Sequence, residues 1–351
     1  MVNSKHCLKK IIQIRFFLSM GHYAVIEIGS NAVRMILGEK EDDSSVKVLR
    51  SWSSHFRLGQ EVFSKGNISE SFQIQLCSIL EKLLDQLEPY GACPLQVFGT
   101  SAFRDAKNRK EVLQTLERNC GILVHVLSGK EEASVLLEGL STFLPKHSYK
   151  QVVADLGGGS LELSFLNKNT VFRQCSLNIG TLRLREFEPE HLETSELFQK
   201  TIGHLEDEAG HFLKNSDSET DLLLTGGNAK TLGRFYLQIH DPQLNPNPGA
   251  VEMEWSTFEE MVNHFISLPQ ETLQKSWKLR VHQAEVFHSA LILFMQLGKT
   301  FGTRKVMIPF FGLKESLLLK SFNKQDSSYN PPKGWKINLP FDLYPTEIPF
   351  D

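Results

Sequence analysis

The chain has 351 residues, of which 41% are hydrophobic and 23% are charged, and its formal net charge is −3. This composition excludes an intrinsically disordered chain, and the length suffices for about two domains that each bury a hydrophobic core. A nucleic-acid-binding protein normally carries a surplus of Lys and Arg, whereas this chain has 38 basic and 41 acidic side chains. Any anionic ligand must therefore be bound by local charge.

Residues 1–20 aside, the cysteines and the hydropathy predict a cytoplasmic protein with no membrane partner. Cys7, Cys77, Cys93, Cys120 and Cys175 are odd in number and include no C-x-x-C pair, which is typical of a reducing compartment. We expect Cys120 and Cys175 to be small buried hydrophobic side chains. No apolar run approaches the roughly 20 residues that cross a bilayer.

Residues 1–20 differ from the rest of the chain. The apolar run 11–20 follows several lysines and is similar to the core of a signal peptide, but Arg15 interrupts it and no small-residue cleavage site follows. We interpret residues 1–20 as a dispensable extension, with Met20 as an alternative start. A helix on a membrane surface is the other interpretation.

Strands and helices alternate along the first half of the chain. β-branched apolar runs on both sides of Gly29-Ser30-Asn31 predict a hairpin, and Ser69 can cap a long helix. Asn108 with Glu111 is typical of a capping box that begins another helix. The predicted strands are 23–28, 32–38, 46–52, 95–99 and 122–127, and the predicted helices are 69–88, 108–119 and 130–142.

The same order begins again beyond Pro145. Two apolar runs surround Gly157-Gly158-Gly159-Ser160, and aligning Glu27 with Asp155 offsets the two copies by 128 residues. That offset is the size of one α/β domain, so the sequence predicts two related domains with a cleft between them. The predicted strands of this half are 152–156, 161–166, 170–176, 222–224 and 306–308, and its helices are 195–213, 228 onwards, 257–266 and 281–298. Residues 321–351, with five prolines, are expected to form an irregular tail.

Three loops carry the residue types that bind Mg²⁺ and phosphate. Glu27 and Asp155 each end a predicted strand and precede glycines, so a hard carboxylate lies beside exposed backbone N–H groups. Thr225-Gly226-Gly227 adds a strand-to-helix junction, where a helix N-terminus attracts anions. One such loop also occurs as a plain tight turn, but two at equivalent places in a duplicated chain favour a phosphate site.

Six ordered motifs resemble the exopolyphosphatase/guanosine pentaphosphate phosphatase (Ppx/GppA) family, and the match runs from about residue 22 to 320. They are 27–31 with Arg34, 57–59, 100–108, 128–133, 155–162 and 178–184. The resemblance implies an α/β fold of two duplicated ribonuclease-H-like domains, in the actin, sugar-kinase and chaperone-ATPase superfamily, around an interdomain cleft. It implies a first domain at 21–142, rejoined by 312–320, and a second domain at 143–311.

The resemblance also implies roles for individual residues. Glu132 matches the carboxylate that activates the attacking water, although an acid in the first turn of a helix also suits the helix dipole. Asp155 and Glu162 match residues that organise the metal and water, and Glu27 matches a metal-binding carboxylate. The implied phosphate-binding residues are Gly29, Ser30, Asn31, Arg34, Arg104, Gly157, Gly158, Gly159, Ser160, Gly226 and Gly227. The implied reaction is Mg²⁺-assisted release of terminal phosphate from inorganic polyphosphate or pppGpp.

Three motifs depart from the family pattern. Glu27 stands where Asp is usual, Gln283 where Arg is usual, and Gly312-Leu313-Lys314-Glu315-Ser316 replaces G-L-R-E-G. The C-terminal helical domain of long family members is not matched. We favour an active hydrolase because Glu132, Asp155 and Glu162 are retained. A catalytically weak polyphosphate or nucleotide sensor is the alternative, and a sugar kinase ranks below it. The family also leaves a homodimer open.

Overall fold

The structure, a computed structural model, falls into two compact units, one within Met1–Thr142 and Leu313–Asp351 and the other within Phe143–Gly312. No helix in the described part of the chain is both long and apolar enough to cross a bilayer. The predicted extension at 1–20 lies outside the described residues. The residues that the structure describes are 21–42, 45–91, 93–145, 150–185, 192–213, 219–240, 249–323, 336–338 and 346–347.

The first unit begins with a mixed sheet. Its strands are β1 (His22–Ile28), β2 (Ala32–Asp42), β3 (Ser45–His55), β4 (Leu95–Gly99) and β5 (Val124–Val126). β1 pairs antiparallel with β2, and β2 pairs antiparallel with β3. β4 and β5 then extend the other side of β1 in parallel. The helices of this part are α1 (Leu58–Lys65), α2 (Glu70–Asp85), α3 (Ser101–Asp105), α4 (Arg109–Cys120) and α5 (Gly129–Leu140).

The core of the first unit forms where amphipathic helices cover the sheet. Ser69 accepts a hydrogen bond from the Phe72 N–H and so caps α2, as its sequence predicts. Leu76, Leu80 and Leu83 of that helix are buried with the apolar residues of β1 and β2. These residues recur at the three- and four-residue spacing of one helix face, so the sequence period agrees with the packing of α2.

The predicted capping box at Asn108 is wrong. Helix α4 does begin at the next residue, but the Asn108 side chain makes no capping hydrogen bond. Instead its Oδ1 accepts from the Ile68 N–H at 3.0 Å, and its Nδ2 donates to the Ile68 carbonyl at 2.9 Å. A distant backbone segment satisfies both ends of the amide, so tertiary contact overrides the local motif.

Two cysteines that the sequence does not pair form a disulfide. Cys120 is fully buried, as predicted, but it is bonded to Cys77, so the expectation of a simple small hydrophobic side chain is wrong. The bond joins α2 to α4, with a Cα–Cα distance of 6.1 Å. Cys175 in the second unit is a free, half-buried thiol, and burial raises its pKa to about 11.

The second unit repeats the strand order of the first. β6 (Lys150–Leu156) pairs antiparallel with β7 (Leu161–Asn167), which pairs antiparallel with β8 (Thr170–Leu177). β9 (Thr220–Thr225) and β11 (Thr303–Pro309) extend the other side of β6 in parallel, and β10 (Ala250–Glu254) closes that edge. The strand order and directions match β3-β2-β1-β4-β5, so the predicted duplication is confirmed.

Helices cover the sheet of the second unit and enclose a core rich in phenylalanine. Phe165, Phe258, Phe265, Phe287 and Phe294 are all fully buried there. These phenylalanines therefore fill the hydrophobic core. The helices are α6 (Thr181–Leu184), α7 (Glu196–Leu213), α8 (Gly227–His240), α9 (Trp255–Ser267), α10 (Gln270–Lys275) and α11 (Val281–Thr300).

The chain returns to the first unit at its C-terminal end. α12 (Leu313–Asn323) packs on α5, β1 and β2. Two short strands, β12 (Lys336–Asn338) and β13 (Thr346–Glu347), then pair in parallel with β3. The prediction of an irregular tail is therefore wrong at these residues. The remainder of 324–351 lies outside the described residues.

Sequence patterns miss several of the short elements. The helices α1, α3 and α10 and the strand β10 have 8, 5, 6 and 5 residues respectively, which is too short for a convincing hydrophobic period. Their ends are fixed by tertiary contacts. For example, the Gly59 N–H donates to the carbonyl of the distant Ser30 at the start of α1.

His288 gives the core of the second unit a sensitivity to acid. It is 8% exposed, and within the described residues its Nε2 has no hydrogen-bond partner. Burial lowers the pKa of His288 below the ordinary value of 6.5, because desolvation disfavours the imidazolium, although hydrogen bonds with the backbone of Phe265 and Leu268 oppose this shift. The imidazole is therefore neutral in the folded protein at pH 7.

We predict that replacing His288 with Leu flattens the loss of stability in acid. A folded pKa below 6.5 means that the unfolded chain takes up the proton first, so wild-type stability falls as pH drops through 6.5 towards the folded value. Urea unfolding at pH 7.5 and pH 5.0 measures this. The wild type should lose more free energy of unfolding than His288→Leu between the two pH values. Equal losses would contradict the prediction.

Candidate active site

Two acidic side chains face each other where the β6–β7 hairpin turns. Asp155 is the penultimate residue of β6 and pairs in register with Glu162, the second residue of β7. Facing residues of an antiparallel pair project from the same face, and here one carboxylate oxygen of each lies within 4.8 Å of the other. Asp155 is 7% exposed and Glu162 is 2% exposed. The hairpin therefore holds two acids together in a largely dehydrated place.

Hydroxyl groups flank this acidic pair on the two neighbouring strands. On β8, Ser176 pairs in register with Glu162, and its Oγ donates to Glu162 Oε1 at 2.9 Å. On β9, Thr225 pairs in register with Asp155, and its Oγ1 lies 3.4 Å from Asp155 Oδ1. We call Thr225, Asp155, Glu162 and Ser176 the polar row, because they lie side by side across four adjacent strands. Two donors thus offset part of the repulsion between two acids.

Hydrogen bonds to its carbonyl groups hold the loop between Asp155 and Glu162 in place. The Gly157 N–H bonds the Ser160 carbonyl at 3.0 Å and closes the turn. The N-terminal turn of α6 then donates to the other loop carbonyls, with Thr181 N–H to Gly157 O at 3.1 Å and Leu182 N–H to Gly158 O at 2.8 Å. The Arg183 Nε donates to Gly159 O at 2.6 Å. Arg183 therefore supports the loop backbone.

The N–H groups of Gly158 and Gly159 stand in contrast to these carbonyls. Within the described residues neither N–H donates a hydrogen bond, although Gly159 is buried. Buried backbone donors are nearly always satisfied in folded proteins, so the unpartnered N–H of the buried Gly159, next to that of the half-buried Gly158, is typical of an anion-binding loop. These N–H groups give a physical reason for the predicted phosphate binding at 157–160, which stays a prediction.

Gly180 and Gly226 allow backbone segments to approach this hairpin closely. A Cβ on Gly180 would lie 2.4 Å from the Gly159 nitrogen, and one on Gly226 would lie 2.4 Å from the Leu156 carbonyl oxygen. Gly226 also has φ +98°, which L side chains rarely adopt. Its N–H donates to Thr225 Oγ1 at 2.6 Å, which fixes the hydroxyl beside Asp155. The third glycine loop is therefore tied to the polar row, ahead of α8, which begins at Gly227.

The first unit contains an ion pair at the equivalent hairpin. Glu27 and Arg34 pair in register between β1 and β2, and Arg34 Nη1 donates to Glu27 Oε1 at 3.3 Å. The loop residue Ser30 shares a 2.7 Å hydrogen bond between its Oγ and that of Ser101, and Asn31 Oδ1 is buried with no partner in the described ranges. The turn itself is closed by the Gly29 N–H on the Ala32 carbonyl.

The two adjacent glutamates of α5 have separate partners. Ser128 and Glu131 form a capping box, and hydrogen bonds from the Ser128 backbone and side chain lower the pKa of Glu131. Glu132 is buried and forms an ion pair with Arg104, whose Nη1 also donates to the Leu127 carbonyl at 3.1 Å. Helix capping therefore explains Glu131 alone, and Glu132 lies in a charged, water-poor place.

A family comparison identifies the class of protein. The model of the Ppx/GppA phosphatase family matches residues 38–325, so the chain belongs to that family. "Exopolyphosphatase 1" of Mycobacterium tuberculosis (strain ATCC 25618 / H37Rv) is 27% identical over 167 residues, which are 47% of this chain and 48% of that protein. The chain thus spans about half the length of the curated exopolyphosphatases it matches. A bifunctional 3-dehydroquinate synthase/phosphatase of Fusobacterium nucleatum is 28% identical over 170 residues, 46% of this chain and 26% of that protein.

Solved structures show the same fold. An exopolyphosphatase from Cytophaga hutchinsonii ATCC 33406 superposes with a TM-score of 0.76 at 20% identity, covering 86% of this chain and 98% of that one. The Aquifex aeolicus member of the Ppx/GppA family gives a TM-score of 0.70 at 22% identity, covering 88% and 99% respectively. The predicted α/β fold of two duplicated ribonuclease-H-like domains is therefore confirmed.

Two parts of the polar row escape sequence reasoning. Ser176 and Thr225 lie outside the acidic motif, and their relation to Glu162 and Asp155 appears only when strands are paired. The position of Ser176 two residues before Asn178-Ile179-Gly180 is the one signal that could have directed attention to it. Gln283, which departs from the family pattern, has a structural partner, because its Oε1 accepts from the Arg280 N–H at the start of α11.

We predict that Gly180→Ala destabilises the protein by about 2 kcal/mol, because a new Cβ would overlap the loop backbone. Gly203→Ala in α7 is the matched control. No atom lies within 4 Å of its added Cβ, so helix propensity should raise stability by about 0.5–1 kcal/mol. Urea unfolding of both variants measures the two changes. A neutral Gly180→Ala would mean that the loop is not held in close contact with α6.

Proposed function

We propose that this protein is a phosphoanhydride hydrolase that releases terminal phosphate from inorganic polyphosphate, and that pppGpp is a second substrate with the same reacting bond. The observation that carries the proposal is the hairpin of the second unit, in a chain of the Ppx/GppA family. There two buried carboxylates flank a glycine loop whose central N–H groups have no acceptor among the described residues.

The donor set of this hairpin fits a divalent cation. Asp155 and Glu162 bring hard carboxylate oxygens within 4.8 Å of each other, and Mg²⁺ is usually held by one or two protein carboxylates together with water and substrate phosphate. When bound, Mg²⁺ would neutralise phosphate charge and lower the pKa of a coordinated water. Asp155 and Glu162 are the residues that we propose to hold it.

The loop amides would bind and orient the substrate end. A phosphoryl group has oxygens that accept from the N–H groups of Gly158 and Gly159, and Ser160 would add a hydroxyl. Gly226 precedes α8 and Gly227 is its first residue, and the N-terminal N–H groups and dipole of this helix favour an anion. Charge in the transition state spreads over the equatorial oxygens, so such fixed donors supply much of the catalysis.

Glu132 is the proposed general base. A base must reach the attacking water, and Glu132 is a buried carboxylate that forms an ion pair with the Arg104 guanidinium. The family match implies that Arg104 binds phosphate. In the structure one of its nitrogens serves both Leu127 and Glu132, so we propose that it also orients the base.

The first loop would contribute phosphate ligands. Gly29, Ser30 and Asn31 form its turn, and the buried Asn31 Oδ1 lacks a partner in the described chain, which suits a bound water or cation shell. Arg34 and Glu27 neutralise each other. Glu27 would therefore serve as a metal ligand, and Arg34 as a phosphate ligand, only after they separate.

The ion pair of Glu27 with Arg34 also supports a second candidate, a polyphosphate or nucleotide sensor that binds without rapid hydrolysis. A neutral pair removes one carboxylate from metal binding and one arginine from phosphate binding.

Binding of a homodimer partner and a cytoplasmic location remain predictions from the sequence.

We expect phosphate release from polyphosphates of defined length and from pppGpp, each dependent on Mg²⁺. The measurement is inorganic phosphate release in parallel reactions, with EDTA in place of Mg²⁺ as the control. Binding of both ligands with no phosphate release at any Mg²⁺ concentration would overturn the hydrolase proposal in favour of the sensor.

We predict that Glu132→Gln lowers kcat by about 10²–10⁴-fold, because the amide cannot accept the proton of the attacking water. Tripolyphosphate binding, measured by calorimetry, should remain within a few-fold of wild type. Glu131→Gln is the matched control, since Gln also completes a capping box at this position and should leave kcat nearly unchanged. Full turnover by Glu132→Gln would remove Glu132 from the base role.

A further inference from the structure

Ser176 contacts an acidic residue of the proposed site without belonging to the acidic loop. It lies on β8, directly opposite Glu162 of β7 in the register of the two strands. Its Oγ donates to Glu162 Oε1 at 2.9 Å. The bond is a hydroxyl-to-carboxylate contact across a rigid sheet, and hydrogen bonds of this type to a charged acceptor are stronger than neutral ones.

This hydrogen bond fixes the rotation of the Glu162 carboxylate. Glu162 has three side-chain torsions, of which the last is broad and roughly two-fold, so burial alone does not orient its oxygens. Commitment of Oε1 to Ser176 selects one rotation of the group. The neighbouring acid, Asp155, faces Glu162 from β6. The relative orientation of the two carboxylates therefore depends on Ser176, which lies on the neighbouring strand β8.

We propose that Ser176 is a positioning residue that holds Glu162 in the orientation needed to bind a divalent cation together with Asp155. The proposal rests on the proposed function in so far as Glu162 is a metal ligand. Residues that orient metal ligands from the outer shell typically contribute 10–100-fold to metal affinity or activity. Ser176 would act through Glu162 and would not touch substrate.

The same two strands provide a matched control. Ser164 lies two residues after Glu162 on β7, so it shares the same face, and its Oγ accepts from Gln174 Nε2 at 2.9 Å across the same strand pair. Ser164 is also 2% exposed, like Glu162. Ser164→Ala therefore removes a cross-strand hydrogen bond of equal length and similar burial that does not involve an acidic residue.

The test compares Ser176→Ala, Ser176→Thr and Ser164→Ala in the full chain. Electron paramagnetic resonance of free Mn²⁺ measures how much of the ion is bound, so it gives the metal affinity without turnover. Phosphate release from tripolyphosphate as a function of Mg²⁺ concentration reads activity. Circular dichroism melts establish that each variant folds.

We expect Ser176→Ala to weaken Mn²⁺ binding about tenfold and to raise the Mg²⁺ concentration for half-maximal activity by a similar factor. Ser176→Thr keeps the hydroxyl and should recover most of both losses. Ser164→Ala should remain within about two-fold of wild type in both measurements, since the hydrogen bond it loses does not orient an acid.

Two results would overturn the proposal. In one, Ser176→Ala binds Mn²⁺ and responds to Mg²⁺ as the wild type does. In the other, Ser164→Ala is impaired as much as Ser176→Ala, which would assign the effect to strand pairing. If the wild type releases no phosphate but Ser176→Ala still weakens Mn²⁺ binding relative to Ser164→Ala, the positioning role stands and the hydrolase proposal fails.

Discussion

The placement of two acids opposite each other in a buried hairpin is the constraint on which the site of the second unit depends. Asp155 and Glu162 place two carboxyl groups on facing positions of β6 and β7, and burial strengthens the repulsion between their charged forms. Both groups can be ionised together only if donors or a cation offset that repulsion. Ser176 and Thr225 supply hydroxyl groups from the flanking strands, and a divalent cation would supply the rest. The same repulsion that would destabilise an isolated hairpin is the physical reason for proposing a cation at this one.

The duplicated hairpin of the first unit shows what happens when one acid of the pair is replaced. The offset of 128 residues relates Glu27 to Asp155 and Arg34 to Glu162, and both pairs occupy the same register in their sheets. In the first unit the acid meets an arginine, so the charges cancel and no cation is required. Two copies of one fold have therefore diverged at a single facing position into a neutral pair and an acidic pair.

The glycine loop between the two acids depends on a different feature. Its carbonyl groups accept hydrogen bonds, whereas two of its backbone N–H groups donate none within the described residues. The turn of α6 and Arg183 bind the loop through its carbonyl oxygens, which holds the backbone without using the N–H groups of Gly158 and Gly159. Close contact at Gly180 makes this arrangement possible, because a side chain there would occupy the space of the loop backbone. A rigid loop with unused donors can bind an anion at little further cost in conformational entropy.

The sequence by itself determines the repeat, the long helices and the loops that bear the motifs, because these follow from local period, turn residues and spacing along the chain. The packed face of α2 and the 128-residue offset are read from such patterns. The contacts between individual side chains do not follow from such patterns. The binding of Asn108 to Ile68, of Cys120 to Cys77 and of Ser176 to Glu162 was decided only by the tertiary structure. Each of these contacts joins residues far apart in the chain or on different strands, so it depends on strand register and helix packing that no local pattern encodes.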